Sequence, residues 1–240
     1  MLRAFAGGRL FGEQYGAGTP WALALHGWRR THADFDGALR GLDAVALDLP
    51  GFGATPPPPT PWGSPDYAAA VAETISEPTV VVGHSLGGRI AVHLAASRPD
   101  LVRALVLTGA PLLRRGAAAG APSLRFRIGR ALHRRRLFSD ARMEALRQRY
   151  GSEDYRLAEG VMRDVLVRLL GETYDDALAA ITCPVELVWG DDDTAAPLSV
   201  ANELAARLPK ATLTVCAGAG HLTPLTVPDE LRAAIERHRP

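Results

Sequence analysis

The chain has 240 residues, 47% of them hydrophobic and 22% charged, which is enough apolar material for one large domain with a buried core. Its 27 Lys and Arg residues against 26 Asp and Glu leave a net charge of +1, so it lacks the basic excess of nucleic-acid-binding domains. No segment reaches the roughly 18 consecutive apolar residues of a membrane-spanning helix, and the first residues lack the apolar stretch of a secretory signal. We therefore expect a cytoplasmic protein with no nucleic-acid partner and no transmembrane segment.

Short apolar runs alternate with helical patterns, which is typical of an α/β protein with a mostly parallel sheet covered by helices on both faces. An antiparallel hairpin is predicted first, from segments 2–6 and 10–15 around a Gly-Gly pair. Buried strands are then predicted at 21–25, 44–47, 79–82, 104–107, 185–189 and 212–216. Helices are predicted at 66–76, 86–97, 199–208 and 228–238.

The alternation stops over residues 112–177, where only helical patterning is found. This segment is predicted to be a helical cap inserted between two consecutive strands, with residues 1–111 and 178–240 forming the core. Its first part, 112–150, contains 11 Arg and has a local charge of +9, whereas 151–177 has a charge of −4. The arginines, concentrated in a predicted helix at 123–136, suggest recognition of an anionic substrate or acidic membrane surface, pairing with the acidic half of the cap, or simply a solvated face.

The two cysteines, Cys183 and Cys216, are predicted to lie at opposite ends of neighbouring strands. A strand of five residues separates such ends by roughly 16 Å, which is too far for a disulfide bond, since the Cα atoms must lie within about 7 Å. Neither their number nor their spacing is typical of a metal site. We expect no metal and no cofactor.

The segment Gly83-His84-Ser85-Leu86-Gly87 lies between a predicted strand and a predicted helix. A serine on such a sharp turn is exposed above the sheet, and the flanking positions must be glycine because a Cβ there would collide with the backbone. The helix start also points backbone N–H groups at negative charge developing beside Ser85. The alternative is a glycine-rich turn with a capping serine.

A serine nucleophile needs a base and an acid that orients it. His221 follows the last core strand, at the sheet edge where open α/β sheets bind their ligands. A loop with three carboxylates, Asp191, Asp192 and Asp193, lies at the same edge after the strand at 185–189. His93, His133 and His238 are expected to be structural or solvated, and His26 and His84, next to the reacting positions, are expected to shape the turns there.

Four motifs together resemble the α/β-hydrolase fold superfamily, and specifically its serine hydrolases with a helical cap. They are His26-Gly27-Trp28, Asp48-Leu49-Pro50-Gly51-Phe52-Gly53, the turn at Ser85, and Trp189-Gly190-x-x-Asp193 followed by Gly220-His221. The resemblance implies that Asp193 is the acid of a Ser85–His221–Asp193 triad. It also implies that an oxyanion hole is formed by the backbone N–H of Leu86 and that of Trp28, whose indole lines the acyl pocket.

The expected function is hydrolysis of a small-molecule carboxylic ester or thioester, by a serine carboxylesterase-like mechanism with an acyl-enzyme intermediate. Because the nucleophile is a serine, the carboxylate chemistry of epoxide hydrolases and haloalkane dehalogenases is excluded. Two alternatives stay open. One is hydrolysis of an amide or carbon–carbon bond, and the other is a hydrolase-fold ligand receptor or signalling protein with slow turnover.

Overall fold

The computed structural model describes residues 2–113, 132–133, 137, 139–150 and 153–240. Eight strands form one sheet in the order β1-β2-β4-β3-β5-β6-β7-β8. β1 and β2 form an antiparallel hairpin at one edge, β2 pairs antiparallel with β4, and every later pairing is parallel. The strands are β1 (Leu2–Phe5), β2 (Leu10–Tyr15), β3 (Ala22–Leu25), β4 (Ala44–Asp48), β5 (Thr79–His84), β6 (Val102–Thr108), β7 (Val185–Gly190) and β8 (Ala211–Cys216).

Helices connect the strands and cover both faces of the sheet. Between β6 and β7 the described residues form helices α4 to α7 and no strand. In chain order the helices are α1 (Asp36–Leu39), α2 (Ser64–Ala72), α3 (Leu86–Ser97), α4 (Asp140–Tyr150), α5 (Glu153–Leu157), α6 (Gly160–Gly171), α7 (Asp175–Ala179), α8 (Leu198–Arg207), α9 (Thr223–Thr226) and α10 (Pro228–Glu236); 3₁₀ turns occur at Ala6–Gly8 and His32–Phe35.

Alternate side chains of the strands point to two separate apolar clusters, one on each face of the sheet. On one face Leu23, Val81 and Leu105 pack among helices α2, α3 and α8. On the other face the smaller Ala24 and Val82 pack against α1 and α10. Because both faces are buried, the strands read as continuous apolar runs. The predicted α/β class, the edge hairpin and the mostly parallel sheet are confirmed.

Some predicted boundaries differ from those in the structure. The helix predicted at 66–76 is α2, Ser64–Ala72. Its end is earlier because Thr74 forms a tight turn, with its backbone N–H and its hydroxyl both donating to the Val71 carbonyl oxygen. The four-residue helices α1 and α9 were not predicted, since one turn is too short to show helical periodicity.

Both cysteines are free, as predicted. Cys183 precedes β7 and Cys216 ends the neighbouring β8. Within the described ranges no helix is long and apolar enough to cross a membrane.

Candidate active site

Ser85 lies between β5 and α3 in a backbone conformation that residues other than glycine rarely adopt, with φ 52° and ψ −108°. Such a backbone costs about 1–3 kcal/mol and persists where the surrounding structure imposes it. A Cβ on Gly83 would lie 2.6 Å from the Gly87 carbonyl oxygen, and a Cβ on Gly87 would overlap the Leu25 carbonyl oxygen. The predicted strained turn with two obligatory glycines is therefore confirmed.

The backbone N–H groups of Leu86, at this turn, and of Trp28, on the loop after β3, have no acceptor among the described residues. The next N–H along α3, that of Gly87, donates to the His26 carbonyl oxygen at 3.0 Å. This bond ties the start of α3 to the loop after β3 and thus brings the loop containing Trp28 to the turn. Free N–H groups of this kind can stabilise negative charge on a substrate oxygen.

His221 and Asp193 are hydrogen-bonded, with 2.8 Å between His221 Nδ1 and Asp193 Oδ2. Asp193 is 2% exposed, and its other oxygen accepts the backbone N–H groups of Ala195 at 2.9 Å and Ala196 at 2.8 Å. Burial on its own raises the pKa of Asp193, but the hydrogen bonds from His221 and the two amides outweigh it and lower the pKa. An ionised Asp193 accepts the Nδ1 proton of His221, which leaves Nε2 free to accept another proton.

The neighbouring carboxylates of the same loop are differently placed. Asp191 and Asp192 are both exposed. Asp191 Oδ1 accepts the backbone N–H of Gly218 at 2.7 Å, so it fastens the loop after β8 to the loop after β7. Of the three candidates, Asp193 is the one whose side chain the structure brings to His221.

The loops after β5, β6, β7 and β8 converge around His221. The His84 ring, next to Ser85, lies 4.9 Å from the His221 ring between centroids. Gly109, after β6, has a φ of +56°, and a Cβ there would lie 3.1 Å from His221 and 3.3 Å from Asp193 Oδ2. Ser85 and His221 thus both lie at the carboxyl ends of the parallel strands. Within the described residues, however, no hydrogen bond joins the Ser85 hydroxyl to His221. Such bonds often tighten only when substrate is bound.

Two buried polar residues hold the neighbouring loops. His26 Nε2 accepts the backbone N–H of Leu49 at 2.9 Å, so its proton is on Nδ1, which donates to the Gly27 carbonyl oxygen at 2.7 Å. Burial lowers the pKa of His26 to about 4. Asp48 accepts the backbone N–H groups of His32 and Ala54, each at 2.8 Å. His26 and Asp48 thus fix the main chain of the loops that follow β3 and β4.

Trp28 lies between the core and the helices that follow β6. Its ring meets Phe52 edge-on at 5.0 Å between centroids, and it also packs against a cluster of Tyr155, Ala158 and Leu166 from helices α5 and α6 and their connection. The indole Nε1 is buried without a hydrogen-bond partner among the described residues. The residues of this cluster were not predicted from the sequence, because nothing local connects them to position 28.

Among the described ion pairs, three acidic residues of 151–177 are paired with arginines from other parts of the fold. Arg29 lies 3.6 Å from Asp154 and 3.8 Å from Glu153, and Arg207 lies 3.0 Å from Asp175. An ion pair between Arg163 and Glu144, at 3.2 Å, joins the two halves of 112–177. The predicted arginine-rich helix at 123–136 lies outside the described residues except for positions 132 and 133. In the described part of the chain, no group of three or more His, Cys, Asp or Glu side chains could hold a metal ion.

The amino-acid sequence matches that of a known protein family. Residues 22–234 match the Alpha/beta hydrolase family. The chain belongs to that family. The predicted α/β-hydrolase fold is thereby confirmed.

Several relatives carry esterase names. A pimeloyl-[acyl-carrier protein] methyl ester esterase of Chromobacterium violaceum is 30% identical over 254 residues, covering 95% of this chain and 97% of that protein. One of Neisseria meningitidis serogroup C is 42% identical over 88 residues, which is 35% of this chain and only about a third, 34%, of that protein. The solved structure of a thermophilic esterase from Thermogutta terrifontis has the same fold, with a TM-score of 0.70, 21% identity, and coverage of 99% and 97% of the two chains.

Proposed function

We propose that this hydrolase cleaves a small carboxylic ester or thioester through an acyl-enzyme on Ser85. The observation that carries the proposal is the strained turn at Ser85, which the Gly87–His26 hydrogen bond ties to the loop of Trp28 and which lies at the same end of the strands as His221 and its buried partner Asp193. A structural turn alone needs neither the strain nor the unpaired donors. Together they match what acyl transfer requires of a nucleophile, a base and an oxyanion site.

In the proposed mechanism Asp193 keeps the His221 proton on Nδ1, so Nε2 takes the proton of the Ser85 hydroxyl as its oxygen attacks the carbonyl carbon. The negative charge that forms on the carbonyl oxygen is stabilised by the N–H groups of Leu86 and Trp28. His221 then gives its proton to the departing alcohol or thiol, and Ser85 is left acylated. Water attacks the acyl-enzyme with His221 again as base, which releases the acid and restores Ser85.

The proposal includes a cap formed by residues 112–177 over a core of 1–111 and 178–240. Contacts between helices α5 and α6 and the loops near Ser85 support it. Met162 on α6 fills the space beside Gly51, whose φ is +92°, and the Trp28 indole lies against the cluster of Tyr155, Ala158 and Leu166. A cap in this position would exclude water and shape an apolar acyl pocket, with Trp28 as one wall.

The esterase names of several relatives support ester substrates. Two of them are named for a methyl ester of pimeloyl-[acyl-carrier protein]. Methyl esters and short acyl thioesters are therefore the first substrates to assay for this chain. The apolar surroundings of Trp28 favour an uncharged acyl group.

The test compares Ser85→Ala with Ser97→Ala, an exposed serine at the end of α3. Both variants are assayed on p-nitrophenyl and methyl esters of graded acyl length, on the matching amides, and with a serine-directed phosphonate followed by peptide mapping. We expect wild type and Ser97→Ala to turn over esters and to be labelled on Ser85, and Ser85→Ala to lose turnover by a factor of about 10³ or more. Ester hydrolysis by Ser85→Ala at the wild-type rate would refute the proposal.

The same panel separates the alternatives. A preference for amides over esters would identify an amide hydrolase. Labelling of Ser85 with at most one turnover on every substrate would favour the slow-turnover receptor. Either result contradicts the proposed esterase while leaving the family assignment intact.

A further inference from the structure

His84 is buried, at 1% exposed, and reaches from the residue before the nucleophile to the loop that carries the base. Its Nε2 lies 2.9 Å from the backbone carbonyl oxygen of His221. A carbonyl oxygen only accepts, so Nε2 must carry the proton of a neutral ring. The tautomer of His84 is therefore fixed by the main chain of His221.

The other ring nitrogen of His84 is buried and has no partner among the described residues. A Cβ on Gly27 would lie 3.0 Å from this Nδ1 and 3.4 Å from the Ser85 Cβ. The ring thus fills the space between the loop after β3 and the loop after β8. A leucine or phenylalanine would fill such a space without leaving a buried acceptor unpaired, which costs about 1–3 kcal/mol. The hydrogen bond from His84 Nε2 to the His221 carbonyl oxygen therefore explains why this position is a histidine.

The ring is kept neutral. Burial first, and then the neighbouring charge of His221, lowers the pKa of His84 to about 4. The charged and titratable groups that act on it are His221, Asp193 and the more distant Asp34. A neutral ring adds no repulsive charge when His221 takes up a proton in the proposed mechanism.

We propose that His84 is a positioning residue, whose Nε2–H fixes the His221 backbone carbonyl and so keeps the His221 imidazole aligned between Asp193 and Ser85. This inference rests on the proposed function. His221 lies on the loop between β8 and α9, where its ring is held by Asp193 at one end and its main chain by His84. Without the second support, the ring can keep its bond to Asp193 while Nε2 moves away from Ser85.

The experiment uses two variants of His84 and a matched control. His84→Phe fills the space but has no donor, whereas the amide nitrogen of His84→Gln can occupy the position of Nε2. The control is His93→Phe on helix α3, where His93 is half-buried against Tyr174 at 5.4 Å between ring centroids. Measurements are kcat and KM for a short p-nitrophenyl ester, the pH profile of kcat/KM, the rate of phosphonate labelling, and the melting temperature.

We expect His84→Phe to lower kcat and the labelling rate in parallel by about 10²-fold, the effect of roughly 1 Å of misplacement. KM should change by less than about threefold, and the midpoint of the acidic limb of the pH profile should shift. His84→Gln should regain most of the loss, and His93→Phe should keep the wild-type kcat and profile. If His84→Phe does not fold, His84→Asn replaces it, since that amide is too short to reach the His221 carbonyl.

Two results would overturn the inference. One is a wild-type kcat and pH profile in His84→Phe while Ser85→Ala is inactive. The other is a loss of activity that follows the melting temperature in every variant, with no recovery in His84→Gln. Activity in Ser85→Ala would instead refute the proposed function, so the two failures are distinguishable.

Discussion

Replacing Asp193 by Asn changes one atom of the His221–Asp193 pair and tests its role without altering its volume. Asp193 Oδ1 accepts the N–H groups of Ala195 and Ala196, and Oδ2 faces His221 Nδ1. An asparagine that keeps its oxygen on the two amides must turn its NH₂ group toward His221. Nδ1 then accepts, the proton moves to Nε2, and His221 can no longer take a proton from Ser85.

The expected loss in kcat follows from the free-energy cost of the other orientation of the substituted side-chain amide. With the oxygen turned to His221, the NH₂ group would face two buried N–H donors, each of which loses its acceptor at a cost of about 1–3 kcal/mol. Two such losses amount to about 2–6 kcal/mol, and about 1.4 kcal/mol corresponds to a factor of ten. The productive arrangement is thus depleted by about 30-fold to 10⁴-fold, and we expect kcat to fall within that range.

The assay is steady-state hydrolysis of a short p-nitrophenyl ester at pH 7, with melting temperatures to verify folding. Asp191→Asn is the matched control, because Asp191 is exposed and accepts a single backbone N–H, from Gly218. It should keep kcat within about twofold of wild type. If Asp193→Asn stays within threefold of wild type, or if Asp191→Asn is impaired equally, the assignment of Asp193 is wrong.

Three further predictions concern the packing around the site and the stability of the fold. Gly27→Ala adds a Cβ 3.0 Å from His84 Nδ1, so kcat should fall by roughly tenfold through misplacement; a wild-type kcat would contradict this. Arg237→Ala removes one hydrogen-bond partner of the buried Glu186, which accepts from Arg237 at 2.7 Å. Urea titration should show the free energy of unfolding reduced by about 1–2 kcal/mol, and an unchanged free energy of unfolding would contradict this. The pKa of Asp193 is lower in the folded state than the ordinary carboxyl pKa of about 4, so the ionised carboxylate stabilises the fold above that pH. This stabilisation is lost as the pH falls through the folded-state pKa, so wild type should lose more unfolding free energy between pH 5 and pH 2 than Asp193→Asn. Equal losses would refute the shift.

The turn at Ser85 was predictable because its requirements are local. Two glycines at fixed spacing between a strand and a helix are needed wherever a serine adopts this backbone, and the overlaps at Gly83 and Gly87 are the physical cause. The parallel strands were predictable for a similar reason, since burial on both faces makes them continuous apolar runs. Asp193, by contrast, was separated from Asp191 and Asp192 only by the family resemblance.

Some contacts between distant segments were not predicted from the sequence, unlike the contact between His221 and Asp193, which the family resemblance implied. The bond from His84 to the His221 carbonyl joins residues 137 positions apart, and no spacing indicates it. Glu186 is a carboxylate inside a buried strand, and its partners Arg237 and His238 lie at the end of the chain. A charged residue in an apolar run indicates that a partner exists, but only the fold identifies it.

The most direct test of the account is to quench the enzyme with acid during turnover of a short p-nitrophenyl ester and to measure the mass of the protein and of its peptides. The account predicts a protein heavier by one acyl group, carried on the peptide that contains Ser85, with a lifetime that matches turnover. Rapid turnover with no adduct, or an adduct on another residue, would contradict it.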